Sequence, residues 1–264
     1  MAPPLVTLTS DFGLRDYYVG AMKGVVLSLA PSARIVDISH DIGAQDVLEG
    51  AFVLHYAARE FPPGTIHCAI VDPGVGSARR ALAFASQEQL WVGPDNGLLS
   101  FALQDATGPI YAIDSARVGS GRQSATFHGR DLFAPAAAQL ANGWSLSDLG
   151  NPIADPVYLD AATRQVDADG IDGRIIHVDR FGNLVSNIAH TDIAPFAHAP
   201  CIRIGRAQPL HELKKTYTDV APGQLVALIG SAELVEISVN GGSAARQLGV
   251  ERGTSIRVEA QHTA

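Results

Sequence analysis

The stretch Ile66-His67-Cys68-Ala69-Ile70-Val71-Asp72-Pro73-Gly74-Val75-Gly76-Ser77-Ala78-Arg79-Arg80 decides how the rest of the chain is read. Ile66 to Val71 has the length and apolar character of a short buried strand, and it runs directly into a carboxylate. Such strands belong to α/β sheets, which present ligand-binding residues just beyond their carboxyl ends, and Asp72 stands at that place. Gly74 and Gly76 allow a tight turn with open amides, and Arg79 can return a positive charge toward Asp72. The same residues also fit a plain strand-end turn closed by one surface ion pair. The stretch alone does not separate the two readings.

Working outward, short apolar runs alternate with helical patterns over the first 145 or so residues, which is the grammar of an α/β domain with a central sheet flanked by helices. Leu5 to Thr9 and Arg34 to Ile38 read as strands, and Asp16 to Leu29 as a helix. Asp46 with Glu49 resembles a capping box opening a helix that runs to about Phe61. Ala81 to Phe84 and Gln89 to Val92 are extended, and Asp131 to Leu140 returns to helix. Between about Leu149 and Gly173 the pattern breaks into Asn151-Pro152, Asp155-Pro156 and Asp169-Gly170, which suits a linker. Beyond it the runs at 174–179, 184–188, 201–204, 225–229, 234–239 and 255–259 are mainly strands. The expectation is two domains: α/β over 1–160, and a smaller, mainly-β barrel or sandwich over 170–264.

Composition narrows the function classes. With 47% hydrophobic and 17% charged residues in 264, the chain has the make-up of a compact enzyme rather than a disordered protein. A formal net charge of -8 and the lack of a Lys/Arg run argue against a general nucleic-acid binder. Met1-Ala2-Pro3-Pro4 opens no signal-peptide pattern and no run is long enough to span a bilayer, so a cytoplasmic location without membrane attachment is expected. Cys68 and Cys201 are far apart and form no C-x-x-C, which points to reduced structural thiols. The nine histidines include no H-x-H or H-E-x-x-H, so no metal is expected. Phosphate-cradling and G-x-S-x-G patterns are missing as well.

Polar clusters recur where strand-like runs end: Thr9-Ser10-Asp11-Phe12-Gly13, the Asp72 loop, Phe127-His128-Gly129-Arg130-Asp131 and Asp179-Arg180-Phe181-Gly182-Asn183. Each alone also reads as a cap, a satisfied histidine or a hairpin turn. Their repetition at the same kind of place favours a site. Val71 to Gly76 superficially matches the D-x-G-x-G turn of Rossmann-like methyltransferases, but Ser77-Ala78 supplies no third glycine and the loop follows two earlier strand–helix units.

Taken together, T-S-D-F-G at 9–13, V-D-P-G-V-G at 71–76, G-P-D-N-G at 93–97, F-H-G-R-D at 127–131, D-R-F-G-N at 179–183 and G-S-A-E-L-V-E-I-S-V-N-G-G at 230–242 stand in the order found in the S-adenosyl-L-methionine hydroxide adenosyltransferases, relatives of fluorinase and chlorinase. The resemblance implies an enzyme that splits S-adenosyl-L-methionine with water at ribose C5′, giving adenosine and L-methionine, with no cofactor. It maps the water-handling set onto Asp72, Arg79 and His128, with Arg80 as the neighbouring decoy. Either Asp72 or His128 could take the proton.

By the same resemblance Asp11 would accept the ribose hydroxyls. Asn183 would read the adenine edge together with backbone near Val239 and Gly241, and Phe181 would pack on the adenine face. Asp179 would meet the methionine ammonium and Ser231 its carboxylate, with Tyr217 and Glu236 as weaker candidates. Gln45 stands where fluorinase-type enzymes carry an aromatic residue, and Ala232 where they carry an arginine. Because His128-Gly129 is retained and the fluorinase insertion is missing, hydroxide transfer is favoured over halogenation. The alternatives are a chlorinase-like halide adenosyltransferase and a non-catalytic binding module for S-adenosylmethionine or adenosine. The resemblance also implies a homotrimer with sites at subunit interfaces.

Overall fold

The computed structural model describes residues 2–119, 121, 124–160, 164–196 and 200–260. The chain divides into two compact units, Met1–Leu159 and Asp160–Ala264.

The first unit is α/β. Its strands are β1 (Leu5–Ser10), β2 (Arg34–Ser39), β3 (Ile66–Ile70), β4 (Ala81–Ser86), β5 (Gln89–Pro94), β6 (Ile110–Ile113) and β7 (Gly150–Ile153), in the order β2-β1-β3-β5-β4-β6-β7. β2, β1, β3 and β5 run parallel, and β4, β6 and β7 continue the sheet antiparallel. Helices α1 (Tyr18–Leu29), α2 (Val47–Ala58), α3 (Ser100–Gln104), α4 (Ser115–Val118), α5 (Ala134–Ala141) and α6 (Leu146–Leu149) complete it. Apolar clusters cover the sheet: one packs Val6, Leu8, Met22, Val26, Ile70 and Phe133, another Leu54, Val71, Phe84, Trp91 and Leu98. The chain turns from β1 to β2 on one side and then to β3 on the other, so the strand order reverses between β1 and β3. Open α/β sheets place ligands at such a reversal, beyond the carboxyl ends of the strands. Asp11 follows β1 and Asp72 stands two residues past β3, at this position.

Several elements differ from the sequence reading. Asp46 caps α2 by accepting the Glu49 N–H at 3.0 Å, but the Glu49 carboxylate reaches the Gly43 N–H instead of closing a box on Asp46. The helix expected over 131–140 begins as a π-turn over Gly129–Phe133 and becomes α-helical at Ala134. Pro135, in the first turn of α5, has no N–H to give to the carbonyl of Asp131, and the wider turn precedes it. The break-rich stretch from Leu149 is not a plain linker. β7 pairs there with β6, Arg80 binds Asp155, and the Val157 N–H bonds Asp95. Pro152 is tolerated because β7 is an edge strand.

The second unit is mainly β and barrel-like. β8 (Gln165–Val166), β9 (Gly170–Val178), β10 (Leu184–Ala189), β11 (Pro200–Ile204), β12 (Leu213–Lys214), β13 (Leu225–Ile229), β14 (Leu234–Val239) and β15 (Ser255–Ala260) form one sheet, β11-β15-β9-β10-β14-β13-β12 with β8 beside β9. Its inward faces pack Ile171, Ile188, Ile202, Val235, Ile237 and Val258, with α7 (Ala244–Leu248) laid against the cluster. No helix among the described residues is long and apolar enough to cross a membrane.

Candidate active site

The Asp72 loop is built by its own backbone. The Val75 N–H returns to the Asp72 carbonyl at 3.2 Å, and the Ser77 N–H to Gly74 at 3.1 Å. Gly76 is the glycine this loop requires: its φ is 78°, and an added Cβ would lie 2.4 Å from the Ala125 carbonyl. That close approach brings the loop after β3 against the segment leading to Phe127-His128. Asn96 holds the strand end from the other side, its amide donating to the Val71 carbonyl at 2.8 Å.

Within this frame Asp72, Arg79 and His128 meet. Arg79 Nε donates to both Asp72 oxygens at 2.9 and 3.0 Å, and Nη2 closes a second contact to Oδ2. The pair is buried, with side chains 4% (Asp72) and 9% (Arg79) exposed, and the guanidinium lies 5.1 Å over the Phe133 ring. The same Nη2 is 2.9 Å from His128 Nδ1. A guanidinium only donates, so Nδ1 is an acceptor and a neutral His128 ring carries its hydrogen on Nε2. Burial first, then the Arg79 charge, lower the His128 pKa, against an opposing pull from Asp72 and Asp131. Arg80 turns away from Asp72 and pairs with Asp95 at 2.7 Å and Asp155 at 2.6 Å.

Asp72 and His128 share the wall of a cavity of ≈ 330 Å³ with Asp11, Gln45 and Thr126, while Phe12, Tyr18 and Phe127 supply its aromatic side. Tyr18 and Phe127 meet edge to face at 5.1 Å. Arg79 stands behind this wall and borders a neighbouring cavity of ≈ 380 Å³ with Arg80 and Asp131. The Asp11 carboxylate accepts the Gln45 N–H at 2.8 Å, from a backbone whose φ is 63°. Sequence reasoning missed Tyr18, Thr126 and Phe127. The signal was available in part, since Phe127 opens the F-H-G-R-D motif at 127–131, although the motif by itself assigns its ring no role.

In the second unit the candidate residues serve their own turns. Asp179 Oδ1 accepts the Phe181 and Asn183 N–H groups, each at 2.9 Å, and Oδ2 accepts the Asn183 side-chain amide at 2.8 Å. Gly182 has φ 85° and no room for a Cβ, which would lie 2.0 Å from Ser243 Oγ. Phe181 is 75% exposed, whereas the Val239 side chain is buried, leaving only its backbone for a ligand. Glu236 is buried and accepts from Tyr217 at 3.0 Å and Ser238 at 2.8 Å; burial and this hydrogen bond push the Tyr217 phenol up to about 12. Ser231 is exposed in the turn between β13 and β14, and Gly241 is exposed at φ 70°. No cluster of three or more His, Cys, Asp or Glu suited to a metal ion occurs among the described residues.

Residues 6–150 match the family model of the SAM hydroxide adenosyltransferase N-terminal domain, and residues 173–257 that of the C-terminal domain. The chain belongs to the SAM hydroxide adenosyltransferase family. It is 42% identical to the (R)-S-adenosyl-L-methionine hydrolase of Salinispora tropica, over 98% of this chain and 100% of that one. A fluorinase of Nocardia brasiliensis is more distant, 27% identical over 97% of each chain. Among solved structures, an uncharacterized conserved protein from Thermotoga maritima superimposes with a TM-score of 0.88 at 32% identity, covering 97% of this chain and 100% of that one.

Proposed function

We propose that this protein cleaves S-adenosyl-L-methionine with water at ribose C5′, releasing adenosine and L-methionine. The observation that carries the reading is the Asp72–Arg79–His128 unit, two of whose members face a cavity of small-molecule size that also holds Asp11. Hydrolase relatives alignable over nearly the whole chain support the substrate.

Water is a poor nucleophile toward an sp3 carbon, so it must be held in line with the C5′–S bond and lose a proton as the C–O bond forms. Positioning is one large contribution and general-base assistance typically adds about 10²–10⁴-fold. The C5′–S electron pair passes to the sulfonium, so methionine leaves as a neutral thioether and needs no acid. We assign the proton to Asp72. His128 Nδ1 is taken by Arg79, so the neutral ring can only donate, through Nε2–H, to a lone pair of the water. Arg79 holds the Asp72 carboxylate in place from behind the cavity wall through its Nε hydrogen bonds.

In this reading Asp11 binds the ribose hydroxyls with the lone pairs that Gln45 leaves free. Asn183 and the backbone of Val239 and Gly241 read adenine, and Phe181 stacks on it. Asp179 receives the ammonium and Ser231 the carboxylate, while Glu236 sets Tyr217. Neither a metal nor a cofactor takes part. The assembly we propose is a homotrimer in which the first unit of one chain and the second unit of the next share each site. The division of candidate residues between units supports this, as do the exposed Leu14 (68%) and Tyr17 (66%).

Incubating purified protein with S-adenosyl-L-methionine and separating the products tests the proposal. Equimolar adenosine and methionine, unaffected by EDTA and with no 5′-chloro-5′-deoxyadenosine in chloride, are expected. S-adenosylhomocysteine as the main product would overturn it.

A further inference from the structure

The loop after β2 grips the loop that carries Asp11. The β1–β2 register slips so that Leu8 faces Asp37 while Thr9 faces Ser39. Such a bulge re-aims the residues that follow it, and His40, buried just past β2, places Nδ1 2.7 Å from Ser10 Oγ. Ser10 Oγ also accepts the Phe12 N–H at 3.3 Å, and the His40 carbonyl accepts the Gly13 N–H at 2.7 Å. On its far side His40 Nε2 lies 3.1 Å from Asp37 Oδ1, close but poorly aligned for a hydrogen bond, and Lys23 holds the other Asp37 oxygen at 2.6 Å. Farther along the same loop the Gln45 N–H fixes Asp11 Oδ2. The peptide on either side of Asp11 is therefore fastened to His40.

The order Ser10–His40–Asp37 copies the connectivity of a serine-nucleophile triad. Ser10 is fully buried and does not line the cavity, so it has no path to a substrate. Nor does His40 line it. We propose that His40 is a positioning residue for the nucleoside end of the substrate: through Ser10 and Gly13 it sets the direction in which Asp11 offers its free lone pairs to the ribose hydroxyls. The inference rests on Asp11 being the ribose contact of an S-adenosyl-L-methionine hydrolase.

Calorimetry with adenosine and with 2′,3′-dideoxyadenosine, on the intact protein, separates positioning from general packing. The wild-type protein should favour adenosine by a factor on the order of ten or more, because the dideoxy compound loses its hydrogen bonds to a carboxylate. His40→Ala should compress that ratio below about threefold by weakening adenosine alone, and should raise KM for S-adenosyl-L-methionine more than it lowers kcat. His40→Asn, whose amide can stand in for Nδ1 beside Ser10, should recover most of the ratio. An unchanged ratio in His40→Ala, or equal weakening of both nucleosides, overturns the inference while leaving the hydrolase reading intact. If His40→Ala does not fold, Ser10→Ala cuts the same link and carries the same expectation and refutation. A wild-type protein that binds neither nucleoside overturns the substrate reading and this inference with it.

Discussion

Asp72 in the first unit and Asp179 in the second both stand just past the end of a strand and both accept several hydrogen bonds, yet their partners differ in kind. Asp72 faces a guanidinium that is shared with His128, a residue distant in sequence. Among the described residues, the Asp179 carboxylate accepts from neutral donors, two backbone N–H groups and one amide, all from its own turn. A parallel sheet sends each strand end to the same side, so distant loops can converge into one charge-coupled cluster. An antiparallel hairpin brings sequence neighbours together, and here it yields a turn in which, among the described residues, the groups hydrogen-bonded to the Asp179 carboxylate are neutral. In the proposed function the first arrangement handles water, and the second holds the nucleoside and the ammonium group.

The largest expected effect lies in the first unit. Asp72→Asn and His128→Ala should each lower kcat by more than about tenfold, within the range of lost general-base assistance, with adenosine affinity kept within about threefold. Measured kcat at saturation together with calorimetry would break the comparison if affinity fell and turnover did not. Asn183→Ala should show the reverse in the second unit: adenosine affinity down by roughly tenfold, as for loss of a buried hydrogen-bonding group, with kcat at saturation nearly intact. A kcat loss as large as that of Asp72→Asn would remove the division of labour.

A further expected effect, on stability rather than turnover, concerns acid. Burial lowers His67 to about 4, and burial together with the Arg59 charge lowers His55 to about 4. Both side chains sit neutral in the first unit, His67 hydrogen-bonded to Thr7 and packed on Trp91. Because the folded pKa lies below the unfolded value, the unfolded chain binds protons first, so stability is full above pH ~6.5 and falls as pH drops toward ~4. The cost is on the order of 3 kcal/mol for each histidine at the lower end. Hydrogen exchange at pH 5 against pH 7 should show the first unit losing protection. Loss confined to the second unit would contradict this origin.

Much of this was legible because it depends on chemistry carried by residue type. Alternating apolar runs gave the α/β and mainly-β halves, and a carboxylate at the end of a buried run marked Asp72. The Asp46 cap was legible for the same reason. What was not legible depends on backbone geometry. β6, β7 and β12 are short edge or near-edge strands with weak patterns, and the π-turn at Gly129 reads as ordinary helix. Gln45 touches Asp11 through its amide, which any residue but proline could supply, so its side chain carried no signal. His40 looked like one histidine among nine; a register slip gave it its place.

Where the oxygen of water ends up decides most directly whether water attacks C5′. Turnover of S-adenosyl-L-methionine in ¹⁸O-labelled water, read by mass spectrometry, should place one heavy oxygen on the 5′ carbon of adenosine and none in methionine, with the rate of labelling lowered by more than about tenfold in Asp72→Asn. Unlabelled adenosine, or label carried by methionine, would contradict attack by water at C5′.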